Sequence, residues 1–480
     1  MLTALDIDTR IPLVVDLDGT VTLTDTLCES VVTLAFHRPL AAAESLAVLG
    51  RGLAAFKRHV ARLILPDANT LPYRGELIDL IKSEKARGRD IHLVTASDQA
   101  VADAVAATLG IFTSATGSDG VTNLKGEAKL AHLRTRFPDG FIYAGDSAAD
   151  VPVFRAARGA ILCDVSRTTA AAVAAAGTPV LGEARRPAAG LTTWARAFRV
   201  HQWSKNLLIF VPLFVGHGYG DPGKIIATVL GFLALCVLAS ATYVINDAAD
   251  LDADRFHPIK RLRPLASGAI PIPVALAVAL VMILAALAGA TVLSPAFAAT
   301  LLAYLLLTLA YSFGLKRVAL LDVFVIGALF TLRVVMGADV ARLSHSPWLL
   351  TFALAFFLSL ALAKRHGEVL RAARIDVEEI AGRGYRGDDW PITLTFGVGA
   401  GLVSVVIMLL YMTNEAAPSG FYRQEAWLYV MPAVVSLWLM RIWLLSHRLI
   451  LQDDPVVFAL KDRASLALGL AAAIAFWMAH

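Results

Sequence analysis

Cysteine is scarce in this 480-residue chain. Cys28, Cys163 and Cys236 are its only three, far apart and outside any CxxC pair. That spacing argues against a disulfide framework or a cysteine-built zinc site and fits a reducing compartment. No basic stretch is interleaved with aromatics, so nucleic-acid binding is not expected. The opening residues, MLTALDIDTR, lack the basic-then-apolar form of a secretory signal, so the N-terminal part is expected to stay in the cytoplasm. Long apolar runs are missing as well, but only from residues 1–190. Residues 206–480 contain them repeatedly, at the roughly 17–25 residues that cross a bilayer. The mean hydropathy of +0.64 therefore averages two unlike halves, and the formal net charge of +4 matters less than its placement.

The soluble half begins with an apolar run, Ile11 to Val15, that stops at Asp16 in VVDLDGTVTLTDT. A buried parallel strand ending in a carboxylate, then a glycine turn, puts Asp16 and Asp18 at the carboxyl edge of a sheet, where open α/β folds bind ligands. Further strands are expected at IHLVTAS, ending near Thr95, at FIYAG, followed by Asp146 and Asp150, and at AILCDV. Helical patterns between them predict a doubly wound, Rossmann-like α/β domain over 1–190. The residue types suit phosphoryl transfer. A carboxylate nucleophile can form an aspartyl-phosphate, and a second carboxylate two residues on can move the proton. A hydroxyl and a lysine can hold the phosphoryl oxygens, and further carboxylates can hold the Mg²⁺ that lets two anions meet.

The set DLDGT (16–20), LVTAS (93–97), NLKGEAK (123–129) and GDSAAD (145–150) resembles the four motifs of the haloacid dehalogenase (HAD) phosphohydrolase superfamily. The resemblance implies Asp16 as nucleophile, Asp18 as acid and base, and Thr95 and Lys125 as phosphate ligands, with Lys129 the second choice for the lysine. It places Mg²⁺ at Asp16, Asp18, Asp146 and Asp150, and a helical cap at about 25–75.

A polar linker, 182–190, leads into TTWARAFRVHQWSKN, read as an interfacial helix over 191–205. An all-α polytopic domain of about nine transmembrane helices is expected over 206–480. The spans lie near 206–220, 224–246, 272–292, 295–313, 319–340, 347–364, 391–413, 426–446 and 464–480. Segments 247–271, 314–318, 365–390 and 447–463 carry most of the Lys and Arg, whereas the opposite segments offer only Lys224, Arg342 and Arg423. Positive charge marks the cytoplasmic side. The polar loops and the soluble domain are thus expected on the inner face of a bacterial-type plasma membrane.

The loop YVINDAADLDADRFHPIKRLRPLASG carries Asn246, Asp250 and Asp254 at i, i+4 and i+8, with Asp247 on the neighbouring stripe. Carboxylates crowded at a membrane boundary need a cation, and Mg²⁺ carrying a diphosphate would supply it. Lys260, Arg261 and Arg263 follow and can take remaining negative charge. Two further constellations are Tyr311, Lys316 and Asp322, and Gln202, Lys205 and Asn206.

NDxxDxxxD at 246–254 with HPIKRLRPLASG resembles the first aspartate-rich motif of the UbiA intramembrane prenyltransferase superfamily. The resemblance implies Asp247, Asp250 and Asp254 as metal-binding catalytic residues. It implies Lys205, Asn206, Asn246, Lys260, Arg261, Arg263, Tyr311, Lys316 and Asp322 as substrate-binding ones. RVHQWSKNLLIFVPL, KRLRPLASG, Tyr311–Lys316–Asp322 and LRVVMGA resemble the decaprenyl-phosphate phosphoribosyltransferase branch. The second DxxxD of many prenyl-diphosphate users is absent, since Ile326 stands four residues after Asp322. The expectation is transfer of phosphoribose from its diphosphate to a polyprenyl phosphate, with the HAD-like domain removing the 5-phosphate for envelope glycan synthesis. The alternative is ordinary prenyl transfer to an aromatic or other small acceptor, with a regulatory HAD-like domain or one acting on another phosphate ester.

Overall fold

In a computed structural model, residues 5–186, 188–376, 379–380, 382–451 and 455–480 are described. The linker at 182–190 and the segments 365–390 and 447–463 therefore each lie partly outside the described residues. The chain forms two compact units, Met1–Phe198 with Tyr243–Ala279, and Arg199–Thr242 with Leu280–His480.

The first unit holds a six-stranded sheet: β1 (Leu13–Val15), β2 (Ile91–Asp98), β3 (Ser114–Ser118), β4 (Ile142–Gly145), β5 (Gly159–Cys163) and β6 (Val180–Ala184). Every pairing is parallel and the order is β3-β2-β1-β4-β5-β6. The direction of winding reverses between β1 and β4, and ligands bind beyond the carboxyl ends of strands at such a point. Three helices, α1 (Thr26–His37), α2 (Pro39–Val48) and α3 (Leu53–Leu63), follow β1. The rest of this part carries α4 (Gly75–Ala86), α5 (Gln99–Leu109), α6 (Glu127–Arg136), α7 (Val151–Ala156) and α8 (Arg167–Ala175). The short β1 has no polar face because both sides are covered. Leu13 and Val15 pack with Leu77, Ile81 and Val105, while Val14 packs with Leu133, Tyr143 and Phe154. A buried parallel sheet reads as a continuous apolar run for this reason.

The single helix expected over 191–205 is instead two pieces. A helix α9 (Leu191–Ala197) ends before Arg199, whose φ of 49° is left-handed, and a 3₁₀ stretch runs from Val200 to Phe210. The short α10 (Val211–Val215) follows. Beyond it lie α11 (Pro222–Ala249), α12 (Leu251–Phe256), α13 (Ile272–Leu293), α14 (Pro295–Phe313), α15 (Leu321–Ala341), α16 (Pro347–Arg374), α17 (Trp390–Tyr411), α18 (Val430–His447), α19 (Pro455–Ala459) and α20 (Arg463–Ala479).

Among the described residues seven helices are long and apolar enough to cross a membrane, not nine. The span expected at 206–220 breaks into 3₁₀ turns and the five-residue α10. The span expected at 464–480 is the 17-residue α20, about 26 Å of helix against a hydrocarbon core of roughly 30 Å. The spans present much apolar surface outward, as Leu280, Val281, Leu284 and Val292 of α13 do. Such an unpolar exterior is what lipid, not water, would solvate.

Candidate functional site

The DLDGT turn places its carboxylates by backbone geometry. Asp16 Oδ1 accepts from the Leu17 amide at 2.8 Å, capping the turn that begins there. Gly19 has φ 71°, and a Cβ on it would stand 2.1 Å from Asp146 Oδ2, so only glycine lets the loop approach β4. Asp16, Asp146 and Asp150 each bring a carboxylate oxygen within 4.8 Å of the others. At that range, with an effective dielectric of about 20, each like-charged pair repels by on the order of 3 kcal/mol. One cation answers this repulsion. The buried Lys129 Nζ donates to Asp16 Oδ2 at 2.8 Å and lies 3.3 Å from Asp150 Oδ1. It also donates to the Tyr143 hydroxyl at 2.9 Å.

The remaining charge shows in the proton affinities. Burial, with the charges of Asp16 and Asp150 behind it, raises Asp146 to about 8. Burial also raises Asp150 despite the opposing pull of Lys129. Among the described residues, Asp150 Oδ2 is buried without a hydrogen-bond partner, an orphaned oxygen beside two further carboxylates. This donor set fits a hard divalent cation, which would take the three oxygens and relieve the repulsion.

Asp18 stands apart from that set and is half-buried. Its Oδ1 accepts from the Thr26 amide and hydroxyl, both at 2.8 Å, and its Oδ2 accepts from Ser97 Oγ at 2.5 Å. Burial and then the charge of Asp25 raise it to about 7, so it can carry a proton near neutrality.

Beside each of the two expected phosphate ligands, Thr95 and Lys125, a second residue of the same type contacts a carboxylate. Thr95 is buried and its hydroxyl accepts from the Ser97 amide at 3.1 Å, while the Ser97 hydroxyl donates to Asp18. Strand periodicity offered that signal, because residues two apart share a face. Lys125 is exposed on the loop before α6, while Lys129, one turn into α6, reaches Asp16.

The aspartate-rich loop is not one continuous helix. α11 ends at Ala249, Asp250 leaves helical geometry at φ −100°, ψ 17°, and α12 restarts at Leu251. Asn246 Nδ2 donates to Asp250 Oδ2 at 3.0 Å. Asp247 and Asp254, both buried, share one guanidinium, since Arg263 Nη1 donates to Asp247 Oδ1 at 3.1 Å and to Asp254 Oδ2 at 2.5 Å. Arg263 thus stands where a cation neutralises the pair. Lys260 and Arg261 are exposed on a 3₁₀ turn.

In the second unit, Asn206 is buried, accepting from Arg333 Nε at 3.0 Å and donating to Cys236 Sγ at 3.3 Å. Lys205 beside it and Lys316 are half-buried. Asp322 is fully buried and its oxygens are engaged. Arg365 donates to Oδ2 through Nε at 2.9 Å, with Nη2 2.8 Å away, and Tyr385 Oη donates to Oδ1 at 2.6 Å. Arg383 donates to the Tyr311 hydroxyl at 2.9 Å and lies 3.9 Å from Asp322. Tyr311, Lys364, Arg365 and Arg383 form the polar side of a cavity of about 70 Å³, with Phe330 and Leu360 among its apolar residues. Arg365 and Arg383 had read as topology-setting charges. Only folding brings them from 43 and about 60 residues away to Asp322.

Residues 208–478 match the UbiA prenyltransferase family. The chain belongs to that family. A protein of Sinorhizobium fredii named uncharacterized protein y4nM is 47% identical over 472 residues, covering 98% of this chain and 92% of that one. Nodulation protein NoeC of Azorhizobium caulinodans is 33% identical over 294 residues, 60% of this chain and 93% of that protein. Decaprenyl-phosphate phosphoribosyltransferase of Mycobacterium tuberculosis is 35% identical over 183 residues, 37% of this chain and 61% of that protein. A solved UbiA homolog of Archaeoglobus fulgidus bound to GPP and Mg²⁺ aligns with TM-score 0.46 and 14% identity over 60% of this chain and 98% of that one. Family membership and the seven spans make this an integral membrane UbiA-type transferase.

Proposed function

We propose that the UbiA-type domain transfers phosphoribose from phosphoribosyl diphosphate to a polyprenyl phosphate, and that the sheet domain is a HAD-type phosphohydrolase acting on the 5-phosphate of the product. The observation that carries the choice of donor is the engagement of Asp322. With Arg365 and Tyr385 on its two oxygens, the position of a second metal-binding motif offers cations instead of carboxylates. The 35% identity to the mycobacterial phosphoribosyltransferase supports the same branch.

In the transfer, an oxygen of the lipid phosphate bonds to the anomeric carbon as the bond from that carbon to diphosphate breaks. Asp247, Asp250 and Asp254 would hold Mg²⁺, which supplies charge neutralisation for the leaving diphosphate. Arg263, freed from the carboxylates, can pair with phosphate oxygens. In the hydrolysis, an Asp16 oxygen bonds to phosphorus as the ester P–O bond breaks, and Asp18 protonates the departing oxygen. Water, deprotonated by Asp18, then splits the aspartyl-phosphate to inorganic phosphate. Lys129 stabilises charge on the transferring group, and Asp16, Asp146 and Asp150 would hold the metal. In this reading the sheet domain and the basic loops face the cytoplasm, which the positive charge of the loops supports.

The test is the purified full-length protein with Mg²⁺ and phosphoribosyl diphosphate plus polyprenyl phosphate, or a prenyl diphosphate plus an aromatic acceptor. Diphosphate release with a phosphoribosylated lipid, seen by mass spectrometry, is expected only from the first pair, and a prenylated acceptor from the second would overturn the choice of donor. The Asp16→Asn variant is expected to accumulate the 5-phosphorylated lipid, and unchanged phosphate loss in that variant would sink the sequential reading.

A further inference from the structure

The carboxylate cluster of the first unit opens into a groove of about 340 Å³ whose walls are chemically unlike. Asp146, Asp164 and Arg186 line one part, and Ala188, Ala269 and Pro271 line another. Ala269 and Pro271 do not come from the sheet. They belong to the segment after the aspartate-rich motif, and the residue following Pro271 opens the 22-residue apolar helix α13. One wall of the groove therefore continues directly into a membrane-spanning helix.

That wall is held in place. Arg255 pairs both terminal guanidinium nitrogens with the carboxylate of Glu29 on α1, and its Nε donates to Ala266 O at 3.1 Å. Gly268, at φ 71°, lies so close to the loop after β1 that a Cβ would stand 2.8 Å from Leu23 Cβ. Arg186 closes the ring, with its guanidinium donating to Leu23 O and its amide to Asp164. Asp164 in turn accepts from Arg74 Nη2 at 2.6 Å, and the same nitrogen reaches Gly19 O at 2.8 Å. With Arg74 already on Asp164, the carboxylate does not fully commit Arg186. Its Nε is 3.7 Å from Asp164 Oδ2 and, among the described residues, buried without an acceptor.

We propose that this groove selects a phosphomonoester carried on a membrane-anchored phosphodiester, with the monoester at Asp16, the diester phosphate on Arg186 and the first isoprene units along Ala269 and Pro271. The proposal rests on the phosphohydrolase reading of the carboxylate cluster, with its lipid-linked substrate, and adds the residues that recognise the diester phosphate and the first isoprene units. A soluble sugar phosphate has one anionic group and no use for either the second cation or the apolar wall. A lipid-linked ester uses both and reaches the site from the bilayer that α13 enters. The reaction consumes water and the ester and yields a lipid-linked alcohol and inorganic phosphate.

The experiment measures phosphate release by full-length protein in lipid nanodiscs with Mg²⁺. The probes are ribose 5-phosphate and a synthetic farnesyl-phosphoryl-ribose 5-phosphate. The lipid-linked probe is expected to have the higher kcat/KM by at least about 30-fold, as hydrogen bonds to a charged group plus apolar burial imply. Arg186→Gln is expected to shrink the ratio of the two kcat/KM values about tenfold, mainly through KM, and Arg186→Lys to restore part of it. Ala269→Trp, which fills the apolar wall without touching a charge, is expected to shrink the ratio independently. Equal kcat/KM for the two probes, or a ratio unmoved by both Arg186→Gln and Ala269→Trp, overturns the proposal while leaving the phosphohydrolase standing. Asp16-independent release, or none from either probe, overturns the phosphohydrolase reading and the proposal together.

Discussion

Lys129→Met is the substitution that most directly tests the carboxylate site. Lys129 is 1% exposed, and methionine keeps much of its length while deleting the charge. Its ammonium lies 2.8 Å from Asp16 and 3.3 Å from Asp150. Removing one member of such a buried pair typically costs about 3–5 kcal/mol. Part of that cost is recoverable here, because Asp150 already holds its proton more tightly than usual and can neutralise itself. A loss of about 2–3 kcal/mol in the stability of the first unit follows. The kinetic cost is larger, since deleting a preorganised group that stabilises transition-state charge lowers kcat by about 10²–10³-fold. The assay is phosphate release from p-nitrophenyl phosphate by the full-length protein with Mg²⁺, beside Lys125→Met. The exposed Lys125 is expected to matter by less than about tenfold. Transferase activity on the same preparations checks that the variants are folded. Loss of phosphate release in Lys125→Met with retention in Lys129→Met would refute the assignment.

In the membrane unit, Arg365→Met leaves the fully buried Asp322 with Tyr385 and the more distant Arg383. The expected loss is about 3–5 kcal/mol, read as a lower melting temperature in detergent, and Asp322→Asn in the same background should recover part of it. Glu84 gives a pH-dependent prediction. Burial alone would raise its pKa, but hydrogen bonds from the Leu5 amide, Arg89 and Arg87 outweigh this and hold it below the usual range. The stability it contributes is present above the unfolded pKa of about 4.3 and fades as pH falls through the lower folded value. The melting-temperature gap between wild type and Glu84→Gln should therefore be widest near pH 6 and narrow toward pH 3.5. Gly19→Ala should abolish phosphate release with little effect on the transferase, because the new Cβ would meet Asp146 Oδ2 at 2.1 Å.

What could be read ahead of the fold follows from how local each signal is. The parallel sheet was legible because strands covered on both faces write themselves as apolar runs such as Leu13–Val15 and Ile142–Ala144. Asp16 and Asp146 were legible because each follows directly on such a run. Lys129 ranked behind Lys125 because both lie in one short motif, and only the turn of α6 decides which ammonium faces Asp16. The span count erred at both ends of the membrane segment, where composition alone does not report that 206–220 breaks into short turns.

Asp322 marks the limit of a pattern read one residue at a time. In the sequence it stands without the second carboxylate of a DxxxD, open to use as a substrate ligand. In the fold it is closed by two residues, Arg365 and Tyr385, that no spacing rule connects to it. A buried carboxylate needs a counter-charge, so Asp322, with no second carboxylate to share a metal, needs a cation beside it. Here the cation is present, with Arg383 near enough to add a second. The consequence is chemical as well as structural. On the proposed transferase reading, a phosphate at this position would meet guanidinium groups in place of a metal, and these bind a phosphate oxygen directly. On that reading, chelation of Mg²⁺ should weaken binding of phosphoribosyl diphosphate far more than binding of polyprenyl phosphate, as titration calorimetry with and without EDTA would read.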